Sequence, residues 1–284
     1  AQKKNIPWIA QITSWDNPVA KGEFIFEPDK VIVWGKQNYD EAIKYLKLPK
    51  RKIVQIPPPH FNAINHINCS DNDTIIMDKY IYYLGVTHNN YPCEYELVEL
   101  ILKWTEKIDT FNNIKVLIRP HPKDQNNWWE KLLTHPNAIL DDETVIESRT
   151  VYNTDLKSLV HFYKKIKNSL CVISYKSTTM VESGLLKVPI LTPYFDLGKN
   201  KLKKIPVDIY YHLKYIFENM PKEYWIESKE QLLEMVRKCN NGEIGEESIN
   251  NFYNVCLDIA NIEQDIFPLY KKELEKILDE QSRD

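Results

Sequence analysis

The sequence predicts an α/β protein with a mainly parallel sheet, built as a short first part and a longer, doubly wound second part. Short apolar runs alternate with amphipathic stretches along the chain, the order expected of strand–helix–strand units. The 284 residues, 43% apolar and 27% charged, can bury a sizeable core in about two folding units. No internal repeat and no low-complexity block interrupts the alternation.

In chain order, residues 6–13 and 31–35 read as strands, 39–46 as a short helix and 52–56 as a strand. Pro57, Pro58 and Pro59 then end any ladder or helix, and the Asn- and Asp-rich stretch 65–73 marks a boundary. After it, residues 80–86 read as a strand. Residues 94–108 read as an amphipathic helix on the spacing of Leu97, Leu100, Ile101, Trp104 and Ile108. Strands are expected at 114–119, 138–140, 170–174 and 188–192, with helices at 127–133, 155–166 and 177–186. Helices at 229–239, 246–259 and 263–280 close the chain. The expected division is residues 1–67, the tail end of an α/β domain whose beginning is absent, and residues 68–284, a complete doubly wound domain with C-terminal helices.

Composition narrows the function. Lys and Arg number 37 against 40 Asp and Glu, a formal charge of −3, so no global basic excess draws the chain to nucleic acid. Mean hydropathy is −0.46, and no apolar run approaches the ~18 residues of a spanning helix. Five cysteines, none in a CxxC spacing, argue against a disulfide framework or a zinc site and suit a cytoplasmic setting. With only 7 glycines and neither GxGxxG nor GxxxxGK[ST], a glycine-rich phosphate loop is disfavoured. The remaining histidines show no metal-ligand spacing, so no metal is expected.

Three segments can carry chemistry. In the first, a strand stops at Pro120 and sets Arg119 and His121 at its carboxyl end, where open α/β sheets bind ligands. Arg119 offers a planar fork suited to phosphate, and His121 can donate to an oxyanion or act as acid or base. The plainer alternative is a surface arginine and a satisfied histidine. In the second, strand 170–174 leads through a hydroxyl-rich turn into a helix. Ser177, Thr178 and Thr179 at the helix start suit an anion, and Glu182 one turn on suits ribose hydroxyls. The alternative is a plain cap with a capping-box glutamate. In the third, Asp16 is a candidate general base, Trp15 a stacking wall and Lys21 a phosphate partner, against an ordinary Asp-Asn-Pro turn. The run Lys199–Lys204 reads as a solvated loop or as a contact for anionic lipid or a diphosphate, and Asp141-Asp142-Glu143 as a loop rather than a metal pair.

At these segments the sequence resembles the two-domain GT-B glycosyltransferases of bacterial surface-polysaccharide type, including the CDP-glycerol glycerophosphotransferase-like group. The resemblance rests on SWDNPVAKG (14–22), PDKVIVWG (28–35), LIRPHP (117–122) and SYKSTTMVESGLLKVPIL (174–191), in that order. It implies a Rossmann-like donor domain, with Arg119 and His121 near the donor phosphates. Ser174, Ser177, Thr178 and Thr179 would lie on the diphosphate and Glu182 on the ribose. It places Trp15, Asp16, Asn17 and Lys21 on the cleft side of the amino-terminal domain, with His121 and Asp16 as the catalytic pair. The implied reaction moves a sugar or alditol phosphate from a nucleotide-sugar or CDP-alditol donor to a glycan or lipid-linked acceptor, with no cofactor. The implied place is the cytoplasm or the inner membrane face, with an N-terminal segment or partner chain completing the site. Tyr175 and Lys176 depart from the small residues expected in the turn. A UDP-sugar 2-epimerase-like enzyme and a non-catalytic nucleotide-binding subunit are the competing readings.

Overall fold

The computed structural model of the chain describes residues 6–20, 24–67, 79–86, 91–121, 127–141, 155–197 and 211–281. The first apolar runs form β1 (Ile9–Gln11), β2 (Lys30–Val33) and β3 (Ile53–Gln55), parallel and in that order across a small sheet. Helices α1 (Asn17–Ala20) and α2 (Lys36–Lys44) lie between them in sequence, and α3 (Asn62–Asn65) follows. Val31, Val33, Trp34 and Phe61 are at most 2% exposed and form the heart of this core. The Trp34 indole N–H donates to the Ile12 carbonyl at 2.9 Å, so the ring is buried without a lost hydrogen bond.

The second sheet contains β4 (Tyr80–Leu84), β5 (Lys115–Arg119), β6 (Ala138–Leu140), β7 (Cys171–Ser174), β8 (Ile190–Pro193) and β9 (Trp225–Ile226). Their order is β6-β5-β4-β7-β8-β9 and every pairing is parallel. β4, reading YIYYL, is buried at every position, as a strand covered on both faces must be. Its tyrosines fit because each hydroxyl finds a partner: Tyr80 the Lys165 carbonyl at 2.6 Å, Tyr82 the Asp141 carboxylate, Tyr83 the Glu94 carboxylate at 3.1 Å. Helices α4 (Glu94–Lys107), α5 (Leu156–Lys167) and α6 (Thr179–Leu185) connect these strands, and α7 (Tyr211–Asn219), α8 (Lys229–Asn241), α9 (Glu246–Ile259) and α10 (Ile266–Gln281) complete the chain. α4 buries Leu97, Val98, Ile101 and Leu102 at helical spacing. α5 and α8 start where Asp155 and Ser228 accept N–H groups from Ser158 and Gln231. No described helix is long and apolar enough to cross a membrane.

Contacts divide the chain into one unit of Ala1–Cys69, Pro206–Asn219 and Asn254–Asp284 and a second of Ser70–Ile205 and Met220–Tyr253. This corrects the expectation that all C-terminal helices belong with residues 68–284. α7, the end of α9 and α10 belong with β1–β3. Tyr270 of α10 takes the Gln11 amide at 2.7 Å and donates to the Pro57 carbonyl at 3.3 Å. Gly35 lies so close to the last turn of α9 that a Cβ there would come within 2.6 Å of the Ile259 carbonyl oxygen.

Two local expectations also change. Residues 128–134 wind as a 3₁₀-helix, which aligns Trp129 and Leu132 inward at a spacing of three. α7 and β9 were not expected. β9 spans two residues at the sheet edge, too short for any periodic signal.

Candidate functional site

In the second sheet the strand order reverses between β4 and β7, the place where doubly wound sheets open a crevice beyond their carboxyl ends. The register brings Leu84 at the end of β4 level with Arg119 on β5 and Ser174 on β7. The two segments singled out in the second part of the sequence therefore flank one residue of one sheet edge. Gly85 tightens the arrangement. Its N–H donates to the Arg119 carbonyl at 2.8 Å, and a Cβ on it would lie 3.1 Å from that carbonyl oxygen, from the His121 nitrogen and from Glu94 Oε1. Glycine leaves room for the Arg-Pro-His turn to cross near β4 without displacing it. His121 is half-buried at this edge, and Pro122 lies outside the described residues.

Arg119 departs from its expected role. Its Nη1 donates to Asp141 Oδ2 at 2.9 Å, and its guanidinium lies 4.5 Å from the centre of the Phe162 ring. Asp141, 2% exposed, also accepts from Lys165 Nζ at 2.7 Å and from the Tyr82 hydroxyl. Burial pushes the Asp141 carboxyl up. Arg119, Lys165 and Tyr82 together outweigh it and hold the carboxyl below its usual range. Arg119 is thus a clamp on a buried carboxylate, with a side chain only 23% exposed, and not a fork open to phosphate. Of the acidic run 141–143, Asp141 serves this clamp, and the other two lie outside the described residues.

On the other side of Leu84, Ser174 is 1% exposed and donates to the Leu84 carbonyl at 2.9 Å. It braces β7 on β4 and has no free face for a ligand, another correction. Thr179 Oγ1 donates to Ser174 Oγ at 3.3 Å, and Ser177 Oγ accepts from the Thr179 N–H at 3.4 Å. α6 is shorter than expected. The N–H groups of Met180, Val181 and Glu182 already bond back to the carbonyls of Ser177 and Thr178. The donors on offer are therefore the hydroxyls of the half-buried Ser177 and Thr178 more than the helix start itself, since Thr179 has given its proton to Ser174.

Glu182 forms no capping box. Thr178 caps α6 without a side-chain bond, and Glu182 Oε1 instead accepts from the Tyr163 hydroxyl at 3.2 Å. The carboxyl is 8% exposed. Burial pushes it up to about 7, while the Tyr163 hydrogen bond and the Arg119 charge pull the other way. Arg119 thus lies within electrostatic reach of Glu182, and the two arms of the edge share one field.

Sequence reasoning missed two further features here. Glu94, 2% exposed in the first turn of α4, accepts the Val86 N–H at 2.8 Å and the Tyr83 hydroxyl. A carboxylate of the chain itself holds the turn after β4, where glycine-rich folds hold phosphate. Tyr175 stacks on Tyr91 with centroids 4.8 Å apart, and Lys176 beside it adopts a left-handed backbone with φ of 50°. The only sequence signal was that these two residues are larger than the turn calls for. Among the described residues no group of three or more His, Cys, Asp or Glu side chains is placed to hold a metal ion.

The SWDN segment lies in the first unit. Trp15 is 3% exposed and meets the His212 ring edge-on at 5.2 Å, so it is a core residue and not a stacking wall. Asp16 is half-buried and accepts from the Ser14 hydroxyl at 2.5 Å, while Asn17 opens α1 and donates to Thr13 Oγ1 at 3.4 Å. Asn38, fully buried on α2, donates to the Trp15 carbonyl and to Glu41 Oε2, and so ties the turn to the helix. Lys21 and the run Lys199–Lys204 lie outside the described residues. A cavity of about 270 Å³ opens near the carboxyl ends of β2 and β3, lined by Lys36, Gln55, Asp258, Asn261 and Gln264 together with Trp34 and Pro57.

No family model and no curated protein matches the chain. Among solved structures, a variant of the wall teichoic acid polymerase TagF soaked with CDPG superposes with a TM-score of 0.55 at 18% identity, over 90% of this chain and 58% of that one. A protein designated UDP-N-acetylglucosamine 2-epimerase from Listeria monocytogenes gives 0.53 at 14% identity, over 90% and 60%. The chain spans about three fifths of the length of these structures. The likeness is one of fold: parallel α/β units of the GT-B kind.

Proposed function

We propose that the chain is a GT-B-type transferase that takes a sugar or alditol phosphate from a nucleotide-activated donor and passes it to a cell-surface glycan. One observation supports this reading: the backbone of His121 and the hydroxyl-rich turn after Ser174 lie on either side of Leu84, at one sheet edge where the strand order reverses. The fold neighbours lend support, since one of them is a polymerase soaked with CDPG.

In this reading the hydroxyls bind the donor's diphosphate and Glu182 meets the ribose. His121 stabilises charge developing on the leaving phosphate, or returns a proton to it. Asp16, in the other unit, is the proposed base that activates the acceptor. The first unit's cavity joins amides, a carboxylate and a lysine to an apolar floor, a lining that suits a hydroxylated acceptor.

The test is release of free nucleotide from CDP-glycerol and from a panel of UDP- and GDP-sugars, with and without a polyol-phosphate or glycan acceptor. Acceptor-dependent release supports the transferase. Interconversion of UDP-sugars without acceptor would replace it with the epimerase reading, and donor binding without turnover with a binding subunit.

A further inference from the structure

The donor-site reading leaves the phosphate's cation unassigned, and any assignment of that cation rests on the same reading. Arg119 cannot serve freely, because withdrawing its guanidinium would strip a partner from the buried Asp141 carboxylate. Among the described residues a second cation next to this edge is Lys176. It stands between Ser174, which is locked to Leu84, and the hydroxyls of residues 177–179. Its backbone is left-handed, with φ of 50°, as it is at Lys47 and Lys187. The ammonium lies 4.7 Å from the centre of the Tyr175 ring, and Tyr175 is itself stacked on Tyr91, which is 0% exposed. The cation therefore lies over the ring of a buried tyrosine, one residue from the hydroxyl cluster. Burial draws its pKa down to about 8, which leaves it mostly charged at neutral pH.

We propose that Lys176 is the phosphate-binding residue of the donor site: its ammonium leaves the Tyr175 ring and pairs with the phosphates of a nucleoside diphosphate held by Ser177 and Thr178. The exchange trades a cation–ring contact for a charge-assisted bond to phosphate, which is the stronger kind of interaction. Little solvent must be removed from an ammonium nitrogen that is already buried.

The experiment is calorimetric titration of the whole chain with UDP and CDP, and with uridine and cytidine. Wild type is compared with Lys176→Met, Lys176→Arg and Lys176→Gly. The expected result is diphosphate affinity lowered about tenfold or more in Lys176→Met and Lys176→Gly. Arginine should restore part of it, and nucleoside affinity should stay within about twofold throughout. Lys176→Gly guards against misfolding, because glycine accepts the left-handed backbone without strain. Diphosphate binding that survives both Lys176→Met and Lys176→Gly overturns this assignment and leaves the donor-site reading standing. Wild type that binds neither diphosphate overturns both.

Discussion

Glu182 is where burial and function meet in one side chain. Its carboxyl titrates at about 7 in the folded chain, against an ordinary value of 4.5. A carboxyl whose folded pKa is raised holds its proton more tightly when folded. Its contribution to stability is therefore fully present below the unfolded value and is lost as pH rises through 7. Glu182→Gln, which keeps an acceptor for Tyr163, should stabilise the ligand-free chain at pH 8 by on the order of 2–3 kcal/mol and leave it unchanged at pH 4. Urea titrations at the two pH values read this directly. Equal effects at both would mean that Glu182 is not buried as an acid. His121→Ala should cut turnover by about 10²–10⁴-fold with little change in melting temperature, checked by single-turnover assay and thermal unfolding. A large loss of stability would mark His121 as structural. The sequence exposed the types and spacing of these residues, since strand ends and hydroxyl clusters are local features. It hid which were already spent. Arg119 meets Asp141 across 22 positions, and Trp15 meets His212 across far more, so neither pairing leaves a local trace.

The arms of the site are held by elements, and two contacts between elements dominate. Gly85→Ala would press a methyl group against the Arg119 carbonyl and the His121 nitrogen, backbone atoms that cannot rotate away. The expected cost is about 1–3 kcal/mol, with weaker nucleotide binding as the Arg-Pro-His turn is displaced. Denaturation and calorimetry on the same variant separate the two effects. Asp141 ties β6 to β5 through Arg119 and to α5 through Lys165. Asp141→Asn should cost about 3–5 kcal/mol at neutral pH by leaving two cations without their carboxylate. The folded pKa of Asp141 is depressed, so its contribution is present above the ordinary carboxylate range and is lost as pH falls through the folded value. The gap between wild type and Asp141→Asn should close in acid, which unfolding curves at pH 7 and pH 3 test. Elements with strong periodicity, such as α4 and β4, were legible in advance. α7 and β9 were not, because they are short or border a polar run. The tryptophan pair at 128–129 winds as a 3₁₀-helix because tertiary packing of Trp129 overrides the local pattern.

At the scale of the molecule the chain forms two parallel α/β units, and its last helix returns to the first of them. That return was invisible in sequence: Tyr270 reaches Gln11 across 259 positions, and a single hydroxyl carries no periodic signature. The doubly wound order of the second sheet was legible, since alternating strands and helices with parallel pairing leave few other topologies. The order matters because it alone makes β4 and β7 neighbours and so brings segments more than fifty residues apart to one edge. The most direct measurement is amide hydrogen exchange of the whole chain with saturating UDP and, separately, CDP. Slowed exchange should appear at residues 84–86, 119–121 and 174–182 for whichever diphosphate binds, with β1–β3 unchanged. A bound diphosphate that protects another surface and leaves these three stretches untouched would contradict the account.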